Sequence, residues 1–387
     1  MLQYAILLAA LTAVNAELES IQVIMRHGDR APSFAFPHDN MEILKEYFPR
    51  GLSQLTEQGF EQAKELGEWL REEYAMKVDF LKGFDRKQVH VRSSDKDRCI
   101  ETAMGVMETL FPGERVPIHT HENYKQDLLL KPNSVPCQKA QRLAQADKKR
   151  WREIVNVEHA DLFNFLSKNT GWNVDASNIE DVYNVLYRKF VNNVPQPEWV
   201  TKADHANRTI LGRVVELKRQ SRMISYDTLE KSKLRTGYLV GQILKNFVGS
   251  PRKFTLYASH DATLTSLLYN LGVSRHQLPP YASAVIFELH NVDGRRFVKM
   301  MFRDSPLHLP TIMEPCNGLQ LCPLEDFQKL VEPRIVKDRD EFELLCENHM
   351  EPLPISYQDD EMSSLLTNSP ILMGLVSMID YSMQGGK

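Results

Sequence analysis

The sequence predicts an α/β fold: a mixed, mostly parallel sheet flanked by helices, interrupted by a smaller all-helical domain. Three patterns carry that reading. Residues 21–110 alternate strand-like and helix-like periodicity twice over, the signature of a parallel sheet. Strand-like runs vanish from 138 to about 234, where charged helical patterns replace them. Two later β runs are joined through Asn291-Val292-Asp293-Gly294, and an Asp-Gly turn between such runs marks an antiparallel hairpin at one side of the sheet.

Met1 to Ala16 form an apolar leader without Lys or Arg, ending in small residues that a signal peptidase reads. The mature chain is therefore expected to begin near Glu17, in an oxidising compartment. Ile21-Gln22-Val23-Ile24-Met25 is apolar at four of five positions, as in a strand covered on both faces. It runs into Arg26-His27-Gly28-Asp29-Arg30-Ala31-Pro32, where Gly28 permits a close turn and Pro32 stops an immediate helix. A loop with Pro37, Asp39 and Asn40 follows. Thr56 is a fitting N-cap, and Phe60, Ala63, Leu66, Leu70 and Tyr74 predict a helix over 57–74. Val89 and Val91 alternate with polar neighbours and lead to Arg92-Ser93-Ser94-Asp95, then to a helix through Cys99, Ala103, Val106, Met107 and Leu110.

A proline-punctuated connector leads into the helical insert, whose apolar stripes include Leu162, Phe163 and Leu166, then Val182, Tyr183, Leu186 and Tyr187. From Leu234 a helix is predicted through Leu239, Ile243 and Phe247. Phe254-Thr255-Leu256-Tyr257-Ala258-Ser259 is another buried-type strand, ending in His260-Asp261 before a helix through Leu264, Leu267, Leu268 and Leu271. A helix is also expected over 324–331. The tail is polar except for residues 371–379, too short to span a bilayer, and its charged, polar end argues against a removable lipid anchor. The domains read as a signal peptide (1–16), an α/β domain in two parts (17–137 and 235–351), the helical insert (138–234) and a C-terminal tail (352–387).

At 387 residues the chain has ample core, and a net charge of −4 gives no hint of a nucleic-acid partner. Five cysteines lack the C-x-x-C spacing of a zinc site, and their odd count leaves a thiol over. Cys99, at a periodic apolar position of a helix, is the candidate for a buried, unpaired one. Asn207-Arg208-Thr209 is an N-glycosylation sequon, which suits a secreted protein.

Three strands thus end in chemically capable residues: Arg26-His27 with Arg30, then Arg92, then His260-Asp261. In an open α/β sheet the C-terminal strand edge is where ligands bind. Three guanidiniums can hold non-bridging phosphate oxygens and neutralise charge as a phosphoryl group moves. Their charge also depresses the pKa of a neighbouring histidine, keeping an imidazole nitrogen free to attack in acid. That makes His27 the candidate nucleophile and His260 a second hydrogen-bond partner to the phosphoryl oxygens. Asp261 can protonate a departing alkoxide and later deprotonate water.

The run Arg26-His27-Gly28-Asp29-Arg30-Ala31-Pro32 closely resembles the signature of the histidine acid phosphatases. His260-Asp261 looks like that family's proton-donor dipeptide, and Arg92 before Ser93-Ser94-Asp95 looks like its third phosphate-binding arginine. Secondary markers are Gln54-Leu55-Thr56 with Gly59 and Gln62, Leu278-Pro279-Pro280-Tyr281-Ala282-Ser283, and Cys322-Pro323-Leu324-Glu325. The likeness is closest to the animal prostatic and lysosomal members. It implies a phosphoglycerate-mutase-like sheet, no cofactor, and phosphate monoesters hydrolysed through a phosphohistidine on His27. Arg26, Arg30, Arg92 and His260 would hold the phosphate, with Asp261 as the acid. It further implies disulfides Cys137–Cys346 and Cys316–Cys322, a homodimer, and secretion or residence in an acidic lumen; the membrane anchor that the lysosomal members carry is not expected in this chain. The family's third bridge has no counterpart here, because neither the insert nor residues 281–289 contain a cysteine.

Three other readings use the same residues. Phosphoglycerate mutases share the Arg-His-Gly strand end but usually lack the Asp-Arg-x-Pro continuation and are cytosolic, in conflict with the leader. A secreted phosphate or lipid-phosphate carrier would need the arginines but neither Asp261 nor a reactive His27. A metal-dependent hydrolase through His27, Asp29, His260 and Asp261 would set a cation among arginines that repel it.

Overall fold

The computed structural model describes residues 16–204, 207–249, 251–305 and 308–347. The leader through residue 15 and the tail 352–387 lie outside the described residues, so those two expectations have no structural counterpart here.

Strand β1 (Ala16–Arg26) is buried along most of its length, as its apolar run dictates. The one polar residue of that run, Gln22, is satisfied inside the core: its Nε2 donates to the Ile243 carbonyl at 3.0 Å and its Oε1 accepts from Asn246 at 2.8 Å. After a short helix α1 (Met41–Tyr47), helix α2 (Glu57–Arg71) starts at Thr56, whose hydroxyl accepts from the Gly59 amide. One turn of π-helix, Glu72–Lys77, continues it past Tyr74. Strand β2 (Val89–Ser93) feeds α3 (Asp97–Leu110), and a two-residue strand β3 (Ile118–His119) closes one side of the sheet. Four helices follow: α4 (Gln138–Glu158), α5 (Ala160–Thr170), α6 (Ile179–Val191) and α7 (Ile210–Ile224). Helix α8 (Leu229–Val248) begins five positions before Leu234, because Thr228 caps it and its first turn is charged rather than apolar.

Strand β4 (Phe254–Ser259), helix α9 (Asp261–Asn270) and the hairpin β5 (Ala284–Val292) and β6 (Arg295–Arg303) then appear where the sequence placed them. The hairpin turns on Asp293 and Gly294, with φ of 50° and 82°. Short strands β7 (Thr311–Met313) and β8 (Cys322–Pro323) pair with β6, and α10 (Leu324–Val331) and α11 (Arg339–Cys346) end the described chain.

The sheet order is β3-β2-β4-β1-β5-β6-β7, with β8 also against β6. β1, β4, β2 and β3 run parallel, and β5 onward is antiparallel. Alternation divides the core. Ile21, Val23, Val91 and Leu256 pack with α2 and α3 on one face; Ile24, Tyr257 and Phe287 pack with α8, α9 and α10 on the other. So the helices that follow β1 and β4 leave on opposite faces, and a crevice opens between those neighbouring strand ends. A separate cluster built from α4 to α7 also takes in Phe34 and Phe36 from the loop after β1.

Cys137 pairs with Cys346 and Cys316 with Cys322, at Cα–Cα separations of 4.7 and 5.7 Å. Cys99 is buried and unbridged, as its helical position predicts. Asn207 lies on an exposed turn. Among the described residues no helix is long and apolar enough to cross a membrane.

Candidate active site

The parallel register sets Arg26 beside Ser259 and Ser93 beside Ala258, so the ends of β1, β4 and β2 stand level. His27 and His260, the residues just past two of these ends, then approach with ring centroids 5.6 Å apart. The turn after His27 is fixed by close backbone contact. A Cβ on Gly28 would lie 2.1 Å from the Gly59 carbonyl oxygen, and one on Gly59 equally close to that of Asp29. The Gly28 amide also donates to Thr102 on α3 at 3.1 Å.

Asp29 turns away from the crevice. It accepts from Thr56 and from Asn192 at the end of α6, each at 2.8 Å, while its amide donates to Gln62. The N-cap Thr56, together with Gly59 and Gln62, which the sequence marked without a role, is thus the seat of the loop. The metal-ligand set of His27, Asp29, His260 and Asp261 does not converge, and no such cluster occurs among the described residues.

His27 Nδ1 lies 2.8 Å from the Gly28 carbonyl. A carbonyl only accepts, so Nδ1 carries the hydrogen and Nε2 keeps its lone pair. Burial pushes this imidazole well below its ordinary pKa; Arg98, Arg26 and Arg30 push it further, against a smaller opposing effect of the Gly28 carbonyl. Arg26 is steered by the 278–283 segment: it donates to the Pro279 carbonyl at 2.5 Å and lies 4.0 Å from the Tyr281 ring centroid. Arg30 is held through the Ala31 carbonyl and Ser33, both at 2.9 Å.

The third guanidinium facing His27 is Arg98, and Arg92 is a correction. Val89 and Val91 face α3, so strand alternation sends Arg92 to the other face. There it is ion-paired with the buried Asp127 at 2.8 Å. Asp127 caps the turn holding Leu130, whose carbonyl accepts from Ser259 at 2.8 Å. Arg92 therefore braces the connector beneath the crevice, while Arg98, six residues on, sits buried in the first turn of α3. One signal was legible: a cation in a helix's first turn opposes the dipole and needs a separate reason.

His260 occupies the N-cap position of α9 without capping it; its Nε2 instead lies 3.0 Å from Ser94 Oγ, with Cys99 packed on the ring. Asp261 opens α9. Burial would raise its pKa, but Arg222, Arg26, Lys218 and His27 together hold it well below the usual carboxylate range. Arg222 lies 3.5 Å away, on α7 of the insert. Neither Arg222 nor Lys218 could be tied to Asp261 from sequence, because nothing local joins α7 to α9.

The family model of the histidine phosphatase superfamily, branch 2, matches residues 17–303. Prostatic acid phosphatase of Bos taurus is 33% identical over 344 residues, covering 83% of this chain and 86% of that protein. Lysosomal acid phosphatase of Bos taurus is 32% identical over 343 residues, covering 83% and 79%. Among solved structures, the phytase from Citrobacter braakii superposes with a TM-score of 0.66 at 18% identity, covering 85% of this chain and 99% of that one, a likeness of fold. With its strand-end histidine, its sheet order and these relatives in agreement, the chain belongs to branch 2 of the histidine phosphatase superfamily and is a histidine acid phosphatase.

Proposed function

We propose that the protein hydrolyses phosphate monoesters in two steps through a phosphohistidine on His27, without a metal ion. Arg26, Arg30, Arg98 and His260 bind the phosphoryl oxygens, with Arg98 in the role the sequence suggested for Arg92. His27 Nε2 attacks phosphorus and the ester P–O bond breaks, while Asp261 gives its proton to the leaving oxygen. A water then attacks the phosphohistidine; Asp261 takes its proton, and the N–P bond breaks to release phosphate and neutral His27. The bound phosphate's negative charge raises the affinity of Asp261 for the proton that the first step consumes. The observation that carries this reading is the His27 Nδ1–H bond to Gly28, which leaves Nε2 unprotonated amid three guanidiniums.

The helical insert (138–234) acts as a cap over the two-part catalytic domain (17–137 and 235–351) and selects the leaving group. A leader cleaved near Glu17, glycosylation at Asn207, two disulfides and work in an acidic or extracellular space form one consistent setting. The homodimer implied by the prostatic-type resemblance is read by light scattering of the mature protein. The chemistry is tested by quenching turnover of a radiolabelled ester. Label on His27 that survives base but not acid is expected; its absence where the intermediate should accumulate overturns the mechanism.

A further inference from the structure

The insert carries charges that a simple cap would not need. Arg222 Nη2 stands 3.5 Å from Asp261 Oδ2 and 3.7 Å from Glu180 Oε2, so one cation is shared between the carboxyl of α9 and a carboxylate of α6. Glu180 is held in turn by Lys218, by Lys148 at 3.8 Å and by the Ser221 hydroxyl at 2.6 Å. Arg222 and Asp261 keep 17% and 22% of their side-chain surface exposed, so the shared contact borders solvent rather than lying sealed in the core.

We propose that Arg222 is a positioning residue for the acid Asp261: divided between Asp261 and Glu180, it sets the pH up to which Asp261 delivers its proton, and hence which leaving groups the enzyme can expel. This rests on Asp261 being the acid. The charged groups around that carboxyl are Arg222 and Lys218 from α7 and Arg26 and His27 from the end of β1. His260 precedes it in the chain, and Glu180 with Asp181 on α6 balances the α7 cations. Arg26 and His27 belong to the phosphate site and cannot be varied without changing the reaction. Arg222 adds positive charge that favours the carboxylate, so the protonated acid persists only to a lower pH. Glu180 acts oppositely by drawing on the same guanidinium.

Opposite shifts test this. kcat is measured against pH with an alkyl phosphate, whose leaving oxygen needs the proton, and with 4-nitrophenyl phosphate, whose leaving group does not. In Arg222→Met the alkaline limb for the alkyl ester moves up by about one pH unit or more, since an opposite charge at this distance shifts a carboxyl by roughly 1–3 units. In Glu180→Gln it moves down. Arg222→Lys, which keeps the charge, returns most of the way to the parent profile. The alkaline limb for the nitrophenyl ester shows little displacement in any variant. A purely structural role would scale kcat without displacing the limb, and superimposable limbs in Arg222→Met and parent overturn the proposal. So do limbs that move the same way in Arg222→Met and Glu180→Gln. Asp261→Asn run alongside separates the two failures: if it keeps the parent's preference between esters, the acid assignment falls first, and if it loses that preference while Arg222→Met is unmoved, the positioning role alone falls.

Discussion

The two ends of the parallel sheet each hold a histidine among arginines. At the C-terminal edge His27 faces Arg26, Arg30 and Arg98. At the N-terminal edge His90, on β2, is pushed down to about 4 by burial, then by Arg252, His119 and Arg92. It stacks on His119 at 5.0 Å beside a cavity of about 350 Å³ that Arg86 and Arg252 also line. By charge alone the two ends look alike. They differ in what fixes the ring and what faces it. The Gly28 carbonyl locks the His27 tautomer, and Asp261 interacts with that ring from the neighbouring strand end. Among the described residues, the groups that shift His90 are Arg252, His119 and Arg92, with no carboxyl beside them. A depressed imidazole beside guanidiniums does not by itself mark a nucleophile; the fixed tautomer and the facing carboxyl are what support proposing that role for His27 and not for His90.

The largest expected effect would break the comparison outright. His27→Ala should lower kcat by at least about 10⁴-fold, on the scale of losing a nucleophile that acts within a unit, while His90→Ala leaves turnover of 4-nitrophenyl phosphate close to the parent. Comparable losses at both positions would mean the two ends had been told apart wrongly. Next comes Asp261→Asn. It should slow an alkyl phosphate by about 10²–10⁴-fold, the usual worth of general acid catalysis, and an aryl phosphate far less, with phosphate still bound in a product-inhibition assay.

The arginines sharpen the contrast further. Arg98→Met should reduce kcat/KM by roughly 10²–10³-fold, as for loss of one donor to transition-state charge, with little change in melting temperature. Arg92→Met should do the reverse, destabilising by about 3–5 kcal/mol because Asp127 is left buried and unpaired. Measured by steady-state kinetics and urea unfolding, an exchange of these outcomes would return Arg92 to the phosphate site.

The smallest effect concerns acid stability. Folded His90 resists protonation to about 4, whereas the unfolded imidazole takes a proton below its ordinary 6.5. The unfolded state then binds more protons, so this contribution is fully present above 6.5 and is lost as pH falls through that window. His90→Gln should flatten the decline in melting temperature between pH 6.5 and 4, and an unchanged slope would show that His90 is solvated.

The sequence by itself determined the strand–helix alternation, the hairpin at Asp293-Gly294, the buried thiol Cys99 and the strand ends bearing His27 and His260-Asp261. These follow from periodicity and turn chemistry, which are properties of neighbouring residues along the chain. It missed α1, whose only buried residue, Leu44, leaves no apolar stripe to read, and it began α8 late because the first turn is charged. The tertiary structure decided which arginine joins His27, the sequence holding only the hint of a cation in the first turn of α3. Arg92 and Arg98 are six residues apart and chemically identical, but strand alternation turns one towards Asp127 and the start of α3 turns the other towards the site. It also decided that α7 brings Arg222 and Lys218 to Asp261. Local alternation gives a side chain's face, but which charges meet across that face is set by packing between elements remote in sequence, and no local pattern encodes it.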